Sequence, residues 1–337
     1  MRCVVGVDLG GTNVRAQALY EDGSPAGSRF ENESLAQRGT ERILDQVALT
    51  VKQAVSASAT PPLGVGMAIP GHIDDAAGVV RWAPNFGETI DGVFHYWQNV
   101  PMKADLEART GTKITMANDA NAAAMGEYMF GSGEGKANCL VMLTLGTGIG
   151  GGVVLGPRSV QGSVTGPLLL VGGNMGGVEL GHTTVLRGGL DCNAGTYGAV
   201  EAYCQRDAII RRVTHKMRRG RQTVLFEYAE GDIAKVTPKM LSQAAAEGDA
   251  LSLEVWREFG EWLGAGVANF INIFAPDKLA IGGQVAKAHP YFMDALKNEA
   301  QNSAIPSLFG DCSIVIAQHM EDAGLLGGAA LALQALG

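Results

Sequence analysis

The chain has 337 residues, 46% of them hydrophobic and 18% charged, with a formal net charge of -8. That length exceeds one ordinary core and predicts two domains, the apolar content excludes a disordered chain, and the acidic balance excludes duplex nucleic acid as a partner. Cys3, Cys139, Cys192, Cys204 and Cys312 are scattered like reduced thiols, and no apolar run approaches the roughly 18 residues of a membrane helix, so a cytoplasmic protein without membrane contact is expected.

The apolar run VVGVDLGGTN at 4–13 reads as a strand that breaks into glycines. Residues 15–20 read as its returning partner, and Glu21-Asp22-Gly23 as a hairpin turn. Thr40 is expected to cap a helix with Ile43, Leu44, Val47, Val51, Ala54 and Val55 on one face, stopped by Pro61-Pro62. A buried strand at 63–68 runs into Pro70-Gly71-His72. Another at 113–117 ends at Asn118-Asp119, where the alanine-rich DANAAAMGEYMF begins a helix. The second half opens with a strand at 138–145, turns through 146–151 and returns along 152–155. The basic run from Arg206 to Arg221 reads as a solvated helix face and loop. Thr237-Pro238 starts a further helix. Val255, Phe259, Trp262, Leu263, Val267, Phe270, Ile271 and Phe274 form a core stripe ended by Pro276, and a strand at 278–281 meets Gly282-Gly283. The small residues after Gly324 start a closing helix that permits close approach. This alternation predicts an α/β fold.

Leu9-Gly10-Gly11-Thr12 and Leu145-Gly146-Thr147-Gly148 match one another as glycine turns after apolar strands. Such turns present bare N–H groups to an anion, because no Cβ blocks approach. Two of them predict a phosphate chain gripped from two sides and a molecule of two related halves facing across a cleft. Neither is a P-loop, and neither has the GxGxxG spacing. Asp8, just before the first turn, suits a carboxylate that holds Mg²⁺ through water. Asp119 sits where a strand ends and a helix begins, which suits either a base taking a proton from a sugar hydroxyl or a plain N-cap. Glu179 and His182, with Glu201 further on, provide the acceptors and donors that paired sugar hydroxyls need, or are ordinary surface residues.

The ordered series DLGGTN at 8–13, AIPGHID at 68–74, PNF at 84–86, NDANAAA at 118–124, LGTGIGGG at 145–152, VELGH at 178–182 and LAIGGQV at 279–285 resembles the ROK sugar kinases, within the actin-like and hexokinase-like ATPases, over essentially the whole chain. The resemblance implies two ribonuclease-H-like domains, 1–117 plus 318–337 and 118–317, with ATP and sugar meeting in the cleft between them. It implies an ATP- and Mg²⁺-dependent hexose kinase acting on O6 of glucose, in a homodimer. A kinase for another hexose or N-acetylhexosamine, and a sugar-sensing regulator without its own DNA-binding module, are the alternatives. Asp119 is then the catalytic base, Asn118, Asp119, Glu179, His182 and Glu201 are hexose ligands, and Gly71 and Asn85 line the same pocket. Gly10, Gly11, Thr12, Asn13, Gly146, Thr147 and Gly148 cradle phosphates, Asp8 faces Mg²⁺ through water, and Gly282 and Gly283 lie beside the adenosine.

Two departures stand out. The family commonly holds a zinc with the His182 equivalent and three cysteines in a C-x-C-G-x-x-G-C pattern, but the matching stretch here is CNAGTYGAVE at 192–201. Cys192 remains while Ala194 and Ala199 replace the other two, so no zinc is expected. Packing by Tyr197 is a candidate replacement, and His182 needs another partner to orient it. The hairpin after Gly152 is also longer than the family norm, with Gly156 to Pro167 as the surplus, which suits a flap, a dimer contact or a tolerated surface insertion.

Overall fold

Thirteen strands form three sheets in the computed structural model, which describes residues 1–337. They are β1 (Cys3–Leu9), β2 (Asn13–Tyr20), β3 (Phe30–Glu33), β4 (Val65–Ile69), β5 (His72–Asp74), β6 (Val79–Ile90), β7 (Val93–Val100), β8 (Ile114–Asn118), β9 (Cys139–Leu145), β10 (Ile149–Leu155), β11 (Leu168–Leu169), β12 (Lys278–Gly282) and β13 (Ser313–Ile316). The two five-stranded sheets run β3-β2-β1-β4-β8 and β11-β10-β9-β12-β13. Numbered within each sheet by chain order, both read third, second, first, fourth, fifth. The likeness between the two glycine turns therefore extends to whole sheets, as two ribonuclease-H-like halves require. In the first sheet β1 and β2 are antiparallel, while β4 and β8 join in parallel.

The chain divides into two compact units. One comprises Met1–Met142, Gly152–Val178 and Ala317–Gly337, and the other Leu143–Gly151 and Glu179–Ile316. In the first unit, alternate residues of β1 point to opposite faces of the sheet. Val5, Val7 and Leu9 pack with Val14 and Ala16 against Ile43, Leu44, Val47 and Val51 of the helix Thr40–Ser56. Val4 and Leu19 pack on the other face against Ala329 and Leu333 of the helix Ala323–Leu336. Each fully buried Val, Leu or Ile side chain among these stabilises the fold by about 1.5–3 kcal/mol.

The second unit is organised by the helix Ala250–Phe274, which buries Val255, Trp256, Phe259, Leu263, Val267, Phe270 and Ile271. Phe259 meets Phe292 at 4.9 Å between ring centroids. Asp249 caps this helix by accepting the Ser252 N–H at 2.8 Å, and Ala275 in the left-handed region ends it just before Pro276.

The sequence-based expectations hold for most elements and fail in identifiable places. Thr40 does not cap its helix. Gly39 occupies the cap position, and the Thr40 hydroxyl instead accepts the Trp97 indole N–H at 3.0 Å. The basic run is not simply solvated, because Arg212, Lys216 and Arg221 dock on Glu254 and Glu258 of the long helix, with Lys216 Nζ 2.5 Å from Glu254 and 2.7 Å from Glu258. The hairpin β6–β7 was not foreseen. Its side chains are largely exposed, so the alternation that marks a half-buried strand is missing. No helix is long and apolar enough to cross a membrane.

Candidate active site

In the first unit the polar chemistry collects at the carboxyl ends of three parallel neighbours, β1, β4 and β8, which is where open α/β sheets bind ligands. Asp8 lies near the end of β1, opposite Arg15 in the β1–β2 ladder. Burial pushes its carboxyl pKa up, Arg15 pulls it down, and Asp119 and Glu31 raise it further. Arg15 is itself held by Glu31 at 3.1 Å. The carboxylate of Asp8 rests against Gly324 at the start of the closing helix, so closely that a Cβ on Gly324 would lie 2.5 Å from Oδ1. The first glycine turn is closed by the Gly10 N–H donating to the Asn13 carbonyl at 2.8 Å, while Gly11 faces open space. Thr12 is exposed beside it.

At the end of β8 the cap of the helix Asp119–Phe130 is Asn118, whose Oδ1 accepts from Ala120 at 3.0 Å and Asn121 at 3.2 Å. Asp119 is thereby relieved of the capping role. It is open to solvent, yet enough protein surrounds it to strip part of its hydration. This raises its pKa, against the pull of the Ala120 N–H, its own N–H and the Asn118 side chain. Asn118 also donates through Nδ2 to the Gly71 carbonyl at 3.0 Å, which leaves one amide N–H for a ligand. Gly71 takes φ +116° because its backbone passes the Trp82 carbonyl too closely for a side chain. His72 pairs with Trp82 across β5 and β6, so Asn85 lies three residues further along β6. Ala83 and Gly87 face the consecutive residues Trp97 and Tyr96, so Pro84-Asn85-Phe86 form a bulge in β6. Phe86 goes inward to stack on Trp97 at 5.0 Å, and Asn85 is left exposed.

The second unit holds the other predicted groups on a single scaffold. In the turn between β9 and β10 the Gly146 N–H donates to the Gly148 carbonyl at 2.9 Å, and the Gly146 carbonyl accepts from Arg206 at 3.2 Å. Gly146 faces open space and Thr147 is exposed. The Ile149 N–H, at the end of the same turn, donates to Glu201 Oε2 at 2.8 Å. A Cβ on Gly148 would lie 2.6 Å from that same oxygen. The Gly282-Gly283 turn after β12 packs on the turn as well, with a Cβ on Gly283 placed 2.3 Å from the Leu145 carbonyl. Glu179 is half exposed, and its Oε2 stands 3.8 Å from His182 Nε2. His182 Nδ1 lies 3.4 Å from Cys192 Sγ, which lies 3.5 Å from Glu201 Oε1.

Within the first unit the structure thus brings together Asp8 with Asp119, and Asn118 with Gly71. In the second it sets Gly148 and the Ile149 N–H against Glu201, packs Gly283 on Leu145 before the same turn, and links Glu201 to His182 through Cys192. Sequence reasoning missed the backbone tie from Ile149 to Glu201, which no side-chain pattern could signal. It also missed Cys192 as a bridge between His182 and Glu201. Tyr197, expected as a packing substitute in that loop, is 63% exposed and packs over nothing that would hold His182.

The chain matches the ROK family over residues 4–335. It is 35% identical over 334 residues to a glucokinase of Thermotoga maritima, covering 99% of this chain and 98% of that one. It is 31% identical over 336 residues to a glucokinase of Streptomyces coelicolor, with 98% of each covered. Among solved structures, a ROK family glucokinase from Streptomyces griseus in complex with glucose and AMPPNP is 30% identical, superposes with a TM-score of 0.75, and is covered to 99% by 98% of this chain. A strand order repeated in both sheets, paired glycine turns and a capped Asn-Asp pair accompany that similarity, and the chain belongs to the ROK family.

Proposed function

We propose that this protein transfers the γ-phosphoryl group of ATP to O6 of glucose. The observation that carries the reading is the Asn118-Asp119 pair. Because Asn118 takes the helix cap, the Asp119 carboxylate is left accessible at the carboxyl end of β8, where it can receive a hydroxyl proton. Its position in the first helical turn favours the ionised form, against the loss of hydration that raises its pKa. Phosphoryl transfer asks little more of a base than orientation of the hydroxyl and late acceptance of its proton. Asn118, Glu179, His182 and Glu201 supply sugar-hydroxyl partners, with Gly71 bonded to Asn118 and the exposed Asn85 offering a further amide.

The residues present fit a nucleotide triphosphate and a divalent cation. Gly11 and Gly146 face open space within turns whose neighbouring N–H groups are free of a blocking Cβ, as an approaching phosphate requires. Gly10, Thr12, Asn13, Thr147 and Gly148 complete the two turns, and Gly282-Gly283, packed on the strand that leads into the second turn, lies beside the adenosine in this reading. Asp8 is a partly desolvated carboxylate raised further by Asp119, a state that a nearby cation relieves. Bound there through water, Mg²⁺ would neutralise charge on the phosphates. The homodimer that the family resemblance implies is part of the same proposal, and light scattering on the purified protein checks it.

Steady-state kcat/KM for ADP release with glucose, mannose, fructose, allose and N-acetylglucosamine tests the reading. Glucose is expected to exceed the others by at least about tenfold, since a site built to hydrogen-bond particular hydroxyls rejects analogues that misplace them. A higher value for any other sugar moves the assignment to that sugar, and no ADP release with all of them rejects a kinase.

A further inference from the structure

Residues 192–201 depart from the zinc pattern of the family, and there three side chains meet: His182, Cys192 and Glu201, whose donor atoms lie within 4.8 Å of one another. The set does not fit a structural zinc. Alanines at 194 and 199 offer no donor atom, and Glu201 already gives one oxygen to the Ile149 N–H at 2.8 Å.

We propose that Cys192 is a positioning residue that fixes the tautomer of His182 through a relay in which His182 Nδ1–H donates to Sγ and Sγ–H donates to Glu201 Oε1. The distances are 3.4 Å and 3.5 Å, within the range of sulfur hydrogen bonds, and Cys192 is 3% exposed. A thiol has one proton, and a carboxylate is a stronger acceptor than a neutral ring nitrogen, so the proton faces Glu201. The opposite arrangement would set sulfur lone pairs against a carboxylate oxygen. With its proton to Glu201, Sγ turns lone pairs towards Nδ1, which must then carry the hydrogen. His182 Nε2 is left as an acceptor, 3.8 Å from the Glu179 carboxylate. Two adjacent acceptors select two hydroxyl donors and discriminate against a sugar lacking either. This last consequence rests on the proposed role of His182 as a sugar ligand.

Nitrogen-15 NMR of the histidine rings in the sugar-free protein tests the relay without reference to activity. His182 is expected to carry its proton on Nδ1 in the unaltered protein and in Cys192→Ser, and to become a mixture of tautomers in Cys192→Ala. In kinetics, Cys192→Ala should raise the glucose KM about tenfold, on the scale of one lost hydrogen bond to a charged network, with kcat changed by less than about twofold. Cys192→Ser should restore most of that loss. A proton on Nε2 in the unaltered protein overturns the relay even if no variant folds, as does an unchanged tautomer in Cys192→Ala or one zinc per chain by elemental analysis. A tautomer change with no change in KM overturns instead the reading of His182 as a sugar ligand.

Discussion

The two glycine turns occupy equivalent places in sheets of the same strand order, yet they are attached to their surroundings in different ways. The turn after β1 has a carboxylate, Asp8, at its entrance, pressed on the start of the closing helix and close enough to Asp119 to feel its charge. The turn after β9 has no such carboxylate. Its last N–H is bound to Glu201, its Gly148 leaves no room for a methyl group beside that carboxylate, and Gly283 is packed on its strand. One repeated device has thus been specialised: the first unit concentrates negative charge suited to a cation and a base, and the second locks the backbone proposed for phosphate to the side chain proposed for sugar. A repeat supplies the frame, and the few residues that differ between the halves set the chemistry.

The largest expected effect breaks the first half of this contrast. Asp119→Ala should lower kcat by on the order of 10²–10⁴-fold while glucose affinity, measured by calorimetry, stays within a few-fold. Undiminished turnover would remove Asp119 from its role and leave the first unit without a base. The second half is tested by Gly148→Ala, which places a methyl group 2.6 Å from Glu201 Oε2. Displacing a positioned ligand by about 1 Å is expected to reduce kcat/KM by about 10²-fold, with KM raised for glucose and ATP together. Gly11→Ala meets nothing within 4 Å and should change only the ATP terms, by less than Gly148→Ala does. Equal effects from both glycine variants, confined to ATP, would erase the difference between the turns.

A smaller effect sharpens the charge argument. Asp119 must be ionised to accept a proton, and its pKa is raised above 3.8 by lost hydration. The profile of kcat/KM should therefore fall on the acid side with a midpoint above 3.8, and the acid limb should vanish in Asp119→Asn along with most of the activity. The smallest effect concerns stability. A carboxyl whose folded pKa is raised binds its proton more tightly in the native state, so Asp8 makes the fold less stable as pH rises from 3.8 through its raised value. Above that raised value the cost is fully present, and there Asp8→Asn should raise Tm while impairing Mg²⁺-dependent turnover. A lowered Tm would show that the Arg15 attraction outweighs burial.

Much of this was readable from residues alone because it depends on local signals. The strand that breaks into LGG, the strand that ends at Asn118-Asp119, the stripe from Val255 to Phe274 and the cap at Thr237, which accepts the Met240 N–H at 3.2 Å, each state their geometry within a few positions. What stayed hidden depends on tertiary placement. Nothing in the sequence says that Thr40 faces the Trp97 indole and leaves the cap to Gly39, since a threonine before an apolar stripe reads the same either way. The division of labour between Asn118 and Asp119 was open for the same reason, because both residue types cap helices well. The basic residues after Arg206 looked solvated until a partner surface bearing Glu254 and Glu258 was in place. The bulge that exposes Asn85 inside β6 depends on a register with β7 that sequence periodicity does not record.

Phosphorus NMR of a reaction containing ATP, Mg²⁺ and carbon-13-labelled glucose tests the central claim most directly, run with the unaltered protein and with Asp119→Asn. The unaltered protein is expected to form one phosphate monoester on C6 of glucose per ADP released, and the variant to bind glucose but form almost none. ADP without a sugar phosphate in the unaltered protein, or undiminished product from the variant, would contradict it.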